Sequence, residues 1–312
     1  MKNFAIGQWT VCVCLILVIG SSEIRAAAVP SPQEIEKIKA SIPDQPTVKP
    51  KRPRKVLVFS ISWGYRHSSI PYGKAAIAAM AEKTGAFEAT VSDDLIHFEP
   101  ANLKRYDAVV FNNTNNEIFL PQNFKKLKGD VREKALETDK RLKQSFTQYL
   151  ASGKGLMVIH AGVASFRQWP EYGKIIGARF DNHPWNAGSK VKLWVEDPRH
   201  ILTRGFAQRV TPITEEIYQF KAYSRKDLRV LVRVDTKNTP LPRGIHRKDG
   251  DFPVAWIKHY GKGRVFYGQL GHQHEIFWNP TVMRLYLDGI QYALGDLDAK
   301  ADPIPLKADD GP

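Results

Sequence analysis

The chain has 312 residues, with 46 Lys and Arg against 32 Asp and Glu, so it can hold one large domain or two small ones and carries a formal charge of +14. Both cysteines, Cys12 and Cys14, fall in an N-terminal segment that reads as a leader, which leaves the rest without a disulfide, a thiolate ligand or a cysteine nucleophile. The basic residues are scattered from Lys49 to Lys300 without an aromatic-interleaved basic motif, so the charge reads as a solvated surface and no nucleic-acid partner is expected.

Lys2, the apolar stretch Val11 to Gly20 and the small residues Ala26-Ala27-Ala28 give residues 1–28 the pattern of a secretory signal peptide, too short for a membrane span. A secreted or periplasmic location follows as an expectation, with no transmembrane segment after signal cleavage. Residues 29–54 are proline-rich and end in the basic cluster Lys49 to Lys55, which suits an extended linker with one short helix near Gln33 to Ala40. Residues 55–296 read as one α/β domain and 297–312 as a flexible tail.

The domain opens on Lys55-Val-Leu-Val-Phe-Ser-Ile-Ser62, an apolar run expected to be a buried strand, then a loop through His67 and an Ala-rich helix from about Ile70 to Thr84. Strands around Phe87 to Ser92 and Asp107 to Phe111 continue a parallel crossover pattern. A helix from about Val131 to Leu150 stops at Gly153, and the strand Gly155-Leu-Met-Val-Ile159 ends abruptly at His160. Downstream, strands are expected at Val191 to Glu196, Glu216 to Phe220, Val230 to Val234, Val254 to Lys258 and Gly263 to Tyr267, with a closing helix from about Pro280 to Leu294.

Polar residues collect where these strands end. The first strand delivers Trp63, Tyr65, Arg66 and His67, another delivers His160, and the last runs into Gly268-Gln-Leu-Gly-His272-Gln-His274-Glu275. Strands of one parallel sheet present their carboxyl ends at a single edge, where ligands bind, so histidines distant in sequence can converge there. The segments Asp181-Asn-His183-Pro-Trp185 and Glu215-Glu216-Ile-Tyr218 add polar groups in a loop and at a strand start. From these residues alone His160 reads equally as a functional group or as a histidine hydrogen-bonded beneath a loop. Glu216 reads equally as a pocket carboxylate or as the exposed side of an alternating strand. His97, His200, His246 and His259 look like ordinary loop or strand-face residues.

The ordered set Gly64-Tyr-Arg-His67, Gly155 to Gly162, Trp169-Pro-Glu-Tyr172 with Gly177-Ala-Arg-Phe180, His183-Pro184, Glu215 to Tyr218, and Pro253 to Trp256 through Tyr260-Gly-Lys-Gly-Arg-Val-Phe-Tyr267 to Gly271-His272 resembles the ThuA-like (trehalose-utilisation) family. That family lies in the class I glutamine amidotransferase-like group, and the resemblance covers about Lys55 to Gly295. It implies a flavodoxin-like, doubly wound, mostly parallel sheet with extra strands in the C-terminal half. His160 falls at the elbow where the wider group carries its nucleophilic cysteine. Imidazole cannot form the usual thioester, and Gly-x-Ser-x-Gly does not occur there, so glutaminase and serine-triad chemistry are not expected.

The resemblance further implies carbohydrate processing, with a keto-sugar or 3-keto-glycoside as substrate and elimination with hydrolysis, or isomerisation, as reaction. Such chemistry needs a base, an electrophile at the ketone oxygen and an acid for the leaving group. His160 or Glu216 is expected as base, and a metal, or His272 with Arg66, as electrophile. Trp63, Tyr65 and Trp185 are expected to stack on sugar, with Arg66, His67, His183 and His274 also facing substrate. His67, His160 and His272 form the candidate ligand set for a divalent metal, with Glu216 and His183 in reserve. No nucleotide cofactor is expected. A non-catalytic carbohydrate-binding or scaffold domain, or a binder of acidic cell-surface polymer, fits the same residues less fully.

Overall fold

The computed structural model describes Met1 and residues 29–306, so the expected signal peptide with its two cysteines lies outside the described residues. In chain order the elements are α1 Pro32–Ser41, β1 Lys55–Phe59, α2 Ile70–Thr84, β2 Glu88–Val91, α3 Pro100–Leu103, β3 Ala108–Asn112, α4 Gly129–Ala151 and β4 Gly155–Ile159. There follow α5 Pro170–Ile176, β5 Arg179–Trp185, β6 Lys190–Val195, β7 Val210–Thr214, β8 Ile217–Lys221, β9 Arg229–Val234, β10 Pro253–Tyr260, β11 Gly263–Gly268 and α6 Pro280–Ala293, with short 3-10 turns between.

Nine strands form one sheet in the order β2-β1-β3-β4-β11-β10-β9-β6-β7, and β5 pairs with β8 in a separate ribbon. The first five are mutually parallel, and the rest join antiparallel. Parallel strands covered on both faces read as unbroken apolar runs, which is why KVLVF and GLMVI were legible as strands. Alternate residues load two cores on opposite faces of the sheet. Val56, Val58, Met157 and Ile159 pack with Tyr72, Met80 and Met283 of α2 and α6. Leu57, Phe59, Leu156 and Val158 pack with Phe146 and Ile176 of α4 and α5. The approach of α6 to β4 is so close that a Cβ at Gly155 would overlap the Ala293 carbonyl.

Two end segments differ from expectation. Residues 29–54 hold the short helix expected near Gln33 to Ala40 as α1, opened by a Ser31–Glu34 capping box, but the segment lies on the domain rather than extending from it: Ile38 and, just beyond the helix, Ile42 are buried. The strap is then fastened by Gln291, whose side chain accepts from Thr47 N at 2.8 Å and donates to Val48 O at 2.6 Å, and by the buried Arg54–Asp296 pair. The described part of the tail also lies on the domain rather than free of it. Leu297 is buried, the Asp302 carbonyl accepts from Arg229, and the Lys300 carbonyl is 3.0 Å from His200 Nε2. Among the described residues no helix is long and apolar enough to cross a membrane.

β5, β7 and α5 were not expected. β7, Val-Thr-Pro-Ile-Thr, is a half-exposed edge strand that tolerates Pro212, and β5 carries Pro184 and pairs with β8 through register shifts. Both lack the apolar run or clean alternation that marks a strand in sequence.

Candidate functional site

In the order β1-β3-β4-β11, strands remote in sequence become neighbours, and their carboxyl ends carry the site. β1 leads through a loop to His67, which is held ahead of α2 where Ser69 Oγ donates to Gly271 O at 2.6 Å. β4 ends at His160, whose φ of 48° lies in the left-handed region that a non-glycine side chain occupies only when its surroundings impose it. They do so here: Ala161 N donates to Asn113 Oδ1, Tyr267 Oη to His160 O, and Tyr172 Oη to Gly162 O. β11 continues to Gln269 and His272. β8, in the small ribbon, brings Glu216 and Tyr218 over this edge.

The side chains of His67, His160, Glu216 and His272 converge, each offering one donor atom within 4.8 Å of the others. His160 Nε2 lies 3.2 Å from His67 Nε2 and 3.3 Å from Glu216 Oε2, and His272 Nδ1 lies 3.1 Å from the same carboxylate oxygen. Tetrahedral ligands about 2.0–2.1 Å from a common ion stand about 3.4 Å apart, close to these separations.

Protons make the case sharper. His160 Nδ1 is 2.7 Å from the Gln269 carbonyl, which can only accept, so Nδ1 carries the hydrogen and a neutral ring turns its Nε2 lone pair into the cluster. That lone pair faces His67 Nε2, while His67 Nδ1 is buried without a hydrogen-bond partner among the described residues. With the His67 hydrogen on Nδ1, a buried donor is orphaned and two lone pairs oppose each other. With it on Nε2, it competes for His160 with the Tyr218 hydroxyl, 2.7 Å away. A cation shared by the two Nε2 atoms would remove the opposition of lone pairs, with Tyr218 turning to a second acceptor in Glu216, although the His67 Nδ1 hydrogen would still lack a partner among the described residues.

Electrostatics agree. Burial, reinforced by His160 and His272, pushes the His67 imidazole down to about 2, and burial also lowers His160, so both rings are neutral near pH 7, the form in which imidazole could bind a metal. Burial alone would raise Glu216, but its hydrogen bonds to His160 and His272 hold it well below the ordinary carboxylate range. Burial disfavours a charged His272, yet the bond to Glu216 outweighs that and raises it.

The other expected residues divide. His183 stands at the rim, its Nδ1 3.4 Å from Glu216 Oε1 and its side chain 48% exposed. Tyr65, 66% exposed, sets its ring edge-on to His67 and parallel to His272 at 6.1 Å, as a roof over the cluster. Arg66 is exposed on the same loop. Trp63 is half-buried, its indole N–H bound to the Leu120 carbonyl. Trp185 is no stacking surface: it is 3% exposed, donates to Pro240 O and meets Phe252 edge-on at 5.0 Å. His274 is not part of the cluster, being stacked on Tyr72 and bonded to Ser68 Oγ.

Sequence reasoning quoted the segments of three further residues but gave those residues no role. Tyr218 shares a strand face with Glu216, two positions on. Gln269 accepts the His160 proton on its carbonyl. Glu215 is fully buried and accepts from the backbone N–H groups of Glu216, His272 and Gln273, and burial raises its carboxyl to about 7.

The family model described as trehalose utilisation (ThuA) matches residues 55–293. A solved structure of a protein described as ThuA-like from Bacteroides uniformis superposes with a TM-score of 0.56 at 22% identity, covering 78% of this chain and 92% of that one. A second, from Parabacteroides merdae, gives 0.52 at 15% identity over 81% and 98%. A cytoplasmic protein from Salmonella typhimurium gives 0.50 at 15% identity over 80% and 99%. At such identities these structures show a shared fold. No curated protein matches the chain.

Proposed function

We propose, from the premise that the chain belongs to the ThuA trehalose-utilisation family, that it is a carbohydrate-processing enzyme whose His67, His160, Glu216 and His272 hold a divalent cation and whose substrate is a keto-sugar or 3-keto-glycoside. The observation that carries this reading is the convergence of three imidazoles and one carboxylate, with the Nε2 atoms of His67 and His160 facing each other at 3.2 Å. A bound divalent cation supplies Lewis-acid polarisation of a carbonyl oxygen, here the C3 ketone, which acidifies the C2 hydrogen.

The chain's own groups do the rest. His183, at the rim with its Nδ1 held by Asn186 Oδ1 and near Glu216 Oε1, is placed to take the C2 proton on Nε2. The electron pair of that C–H bond becomes the C1=C2 π bond as the C1–O bond breaks, and the leaving oxygen collects a proton. Water then adds hydroxide to C1 and a proton to C2, giving net hydrolysis; isomerisation shares the first step. Tyr65 offers an open ring face for the sugar, the role sequence had also given to the covered Trp185. Export of the chain through residues 1–28 belongs to the same proposal, and N-terminal sequencing of protein recovered outside the cytoplasm tests it.

The deciding experiment is elemental analysis of purified protein followed by incubation with a 3-keto-disaccharide. Stoichiometric cation, turnover, and loss of both in His160→Ala are expected. No cation, no turnover, and ligand binding unchanged by His160→Ala would leave only a non-catalytic binding domain.

A further inference from the structure

Beside the histidine cluster, between the segment that follows His160 and β5 of the small ribbon, lies a cavity of about 270 Å³. This is close to the small end of ligand pockets, about 300 Å³, and fits one sugar ring better than a larger ligand. Its lining includes Arg167, Arg179 and Lys221. Arg179 and Lys221 are partners in the β5–β8 ladder, so their side chains leave the same face of the ribbon. The Arg167 guanidinium lies 5.6 Å from the Phe180 ring centre.

None of these cations forms a salt bridge among the described residues. The guanidinium of Arg179 meets only the Arg167 carbonyl, and Arg167 makes a long bond to Ala164 O at 3.4 Å. Elsewhere on the same half of the protein several arginines are matched with acids, among them Arg225 with Asp251 and Glu196, Arg229 with Asp197, and Arg247 with Asp249. The one carboxylate in the lining, Asp181, is engaged 2.7 Å from His246 Nδ1. The cavity therefore keeps an excess of positive charge carried by guanidinium forks, the donor geometry that suits oxyanions.

A single aromatic wall separates this cavity from the proposed centre. Phe180 meets Tyr218 edge-on at 4.9 Å, and the Tyr218 hydroxyl is 2.7 Å from His160 Nε2. The strand that supplies Arg179 and Phe180 also supplies His183 at the rim. β5 thus carries both the cavity's Arg179 and the rim histidine, which is the ground for assigning the two places to adjacent rings of one glycoside.

We infer that this cavity is a subsite for a sugar ring bearing an oxyanion, a carboxylate or a sulfate ester, so that the substrates are acidic glycosides rather than neutral ones. The inference rests on the sugar-processing reading of the adjacent cluster, but its test does not. Calorimetric titration of the full chain compares methyl glucoside, methyl glucuronide and methyl glucoside 6-sulfate, without turnover. One of the two anionic glycosides binds at least about tenfold more tightly than the neutral one, and whichever does names the oxyanion. Arg167→Gln and Arg179→Gln each remove about tenfold of that preference, the scale of one charge-assisted hydrogen bond, and leave cation uptake unchanged. Lys221→Gln, at an exposed position, provides a third variant should Arg179→Gln unfold. Equal affinity for all three glycosides, or an anion preference that survives in the arginine variants, overturns the inference. A protein that takes up no cation yet prefers the acidic glycoside keeps the subsite and sinks the proposed centre.

Discussion

Acid should weaken the cation-free protein through His67, and the size of the effect follows from its burial. The ring is 4% exposed, and burial with the neighbouring His160 and His272 lowers its pKa from 6.5 to about 2. Between those values the unfolded chain binds a proton that the folded chain refuses, so stability falls as pH falls. From pH 8 to pH 5 the loss assigned to this one group is about 2 kcal/mol. His160 adds to the loss in the same direction. His272 opposes it: its pKa is raised, so its contribution is present below the unfolded value and disappears as pH rises through the folded one. Urea unfolding of chelator-treated protein at pH 8 and pH 5, for wild type and His67→Asn, isolates the His67 part, because the pH-independent cost of the substitution and the largely shared His160 and His272 contributions cancel in the double difference. The variant should lose about 2 kcal/mol less than wild type over this interval. An equal loss in both proteins would refute the account of His67 as a ring held neutral by its surroundings.

Glu216→Gln should abolish stoichiometric uptake of Zn²⁺ or Co²⁺, with affinity falling more than about 100-fold since a ligand rather than its support is lost, as read by competition with a chromogenic chelator. Glu215→Gln puts an NH₂ donor among the N–H groups of Glu216, His272 and Gln273. It should cost about 1–3 kcal/mol in urea unfolding and weaken the same metals about 10–100-fold. Gly155→Ala drives a Cβ into the Ala293 carbonyl and should lower stability by about 1–3 kcal/mol or more, visible as an earlier urea midpoint with the metal stoichiometry of the folded fraction intact.

What could be read from the sequence was what depends on covering both faces of a sheet. The strands that lead to His67, His160 and His272 are largely apolar and each is followed by a loop or turn that holds a histidine, so a shared edge could be expected without coordinates. Whether an isolated side chain faces a cavity or a neighbour was not visible. Trp185 looks in sequence like Tyr65, an aromatic in a polar segment, and only Phe252 and the Pro240 carbonyl show that its ring is covered. The two readings of His160 both survive in part: it is hydrogen-bonded beneath the 269 carbonyl by one nitrogen and open to the cluster by the other. Glu216 required the ribbon, because a carboxylate one residue before a strand takes its direction from what that strand packs on.

Three of the four converging groups come from strand ends of the large sheet, whereas Glu216 arrives from the separate ribbon, so completing the set depends on how the two sheets are joined. Gln269 makes that join. Its side-chain oxygen accepts from Tyr218 N on the ribbon, its side-chain nitrogen donates to Pro253 O at 2.9 Å on the large sheet, and its own carbonyl accepts from His160 Nδ1. Gln269 thereby ties the ribbon to the large sheet, with Glu215 as a second tie to the N–H groups of His272 and Gln273, and sets the tautomer of the histidine that the ribbon's carboxylate faces. The backbone at the end of β4 takes a φ of 48° at His160, and the side chain there is a neutral imidazole whose tautomer the Gln269 carbonyl sets. A nitrogen lone pair therefore occupies that left-handed position, and the ribbon brings a carboxylate oxygen to 3.3 Å from it.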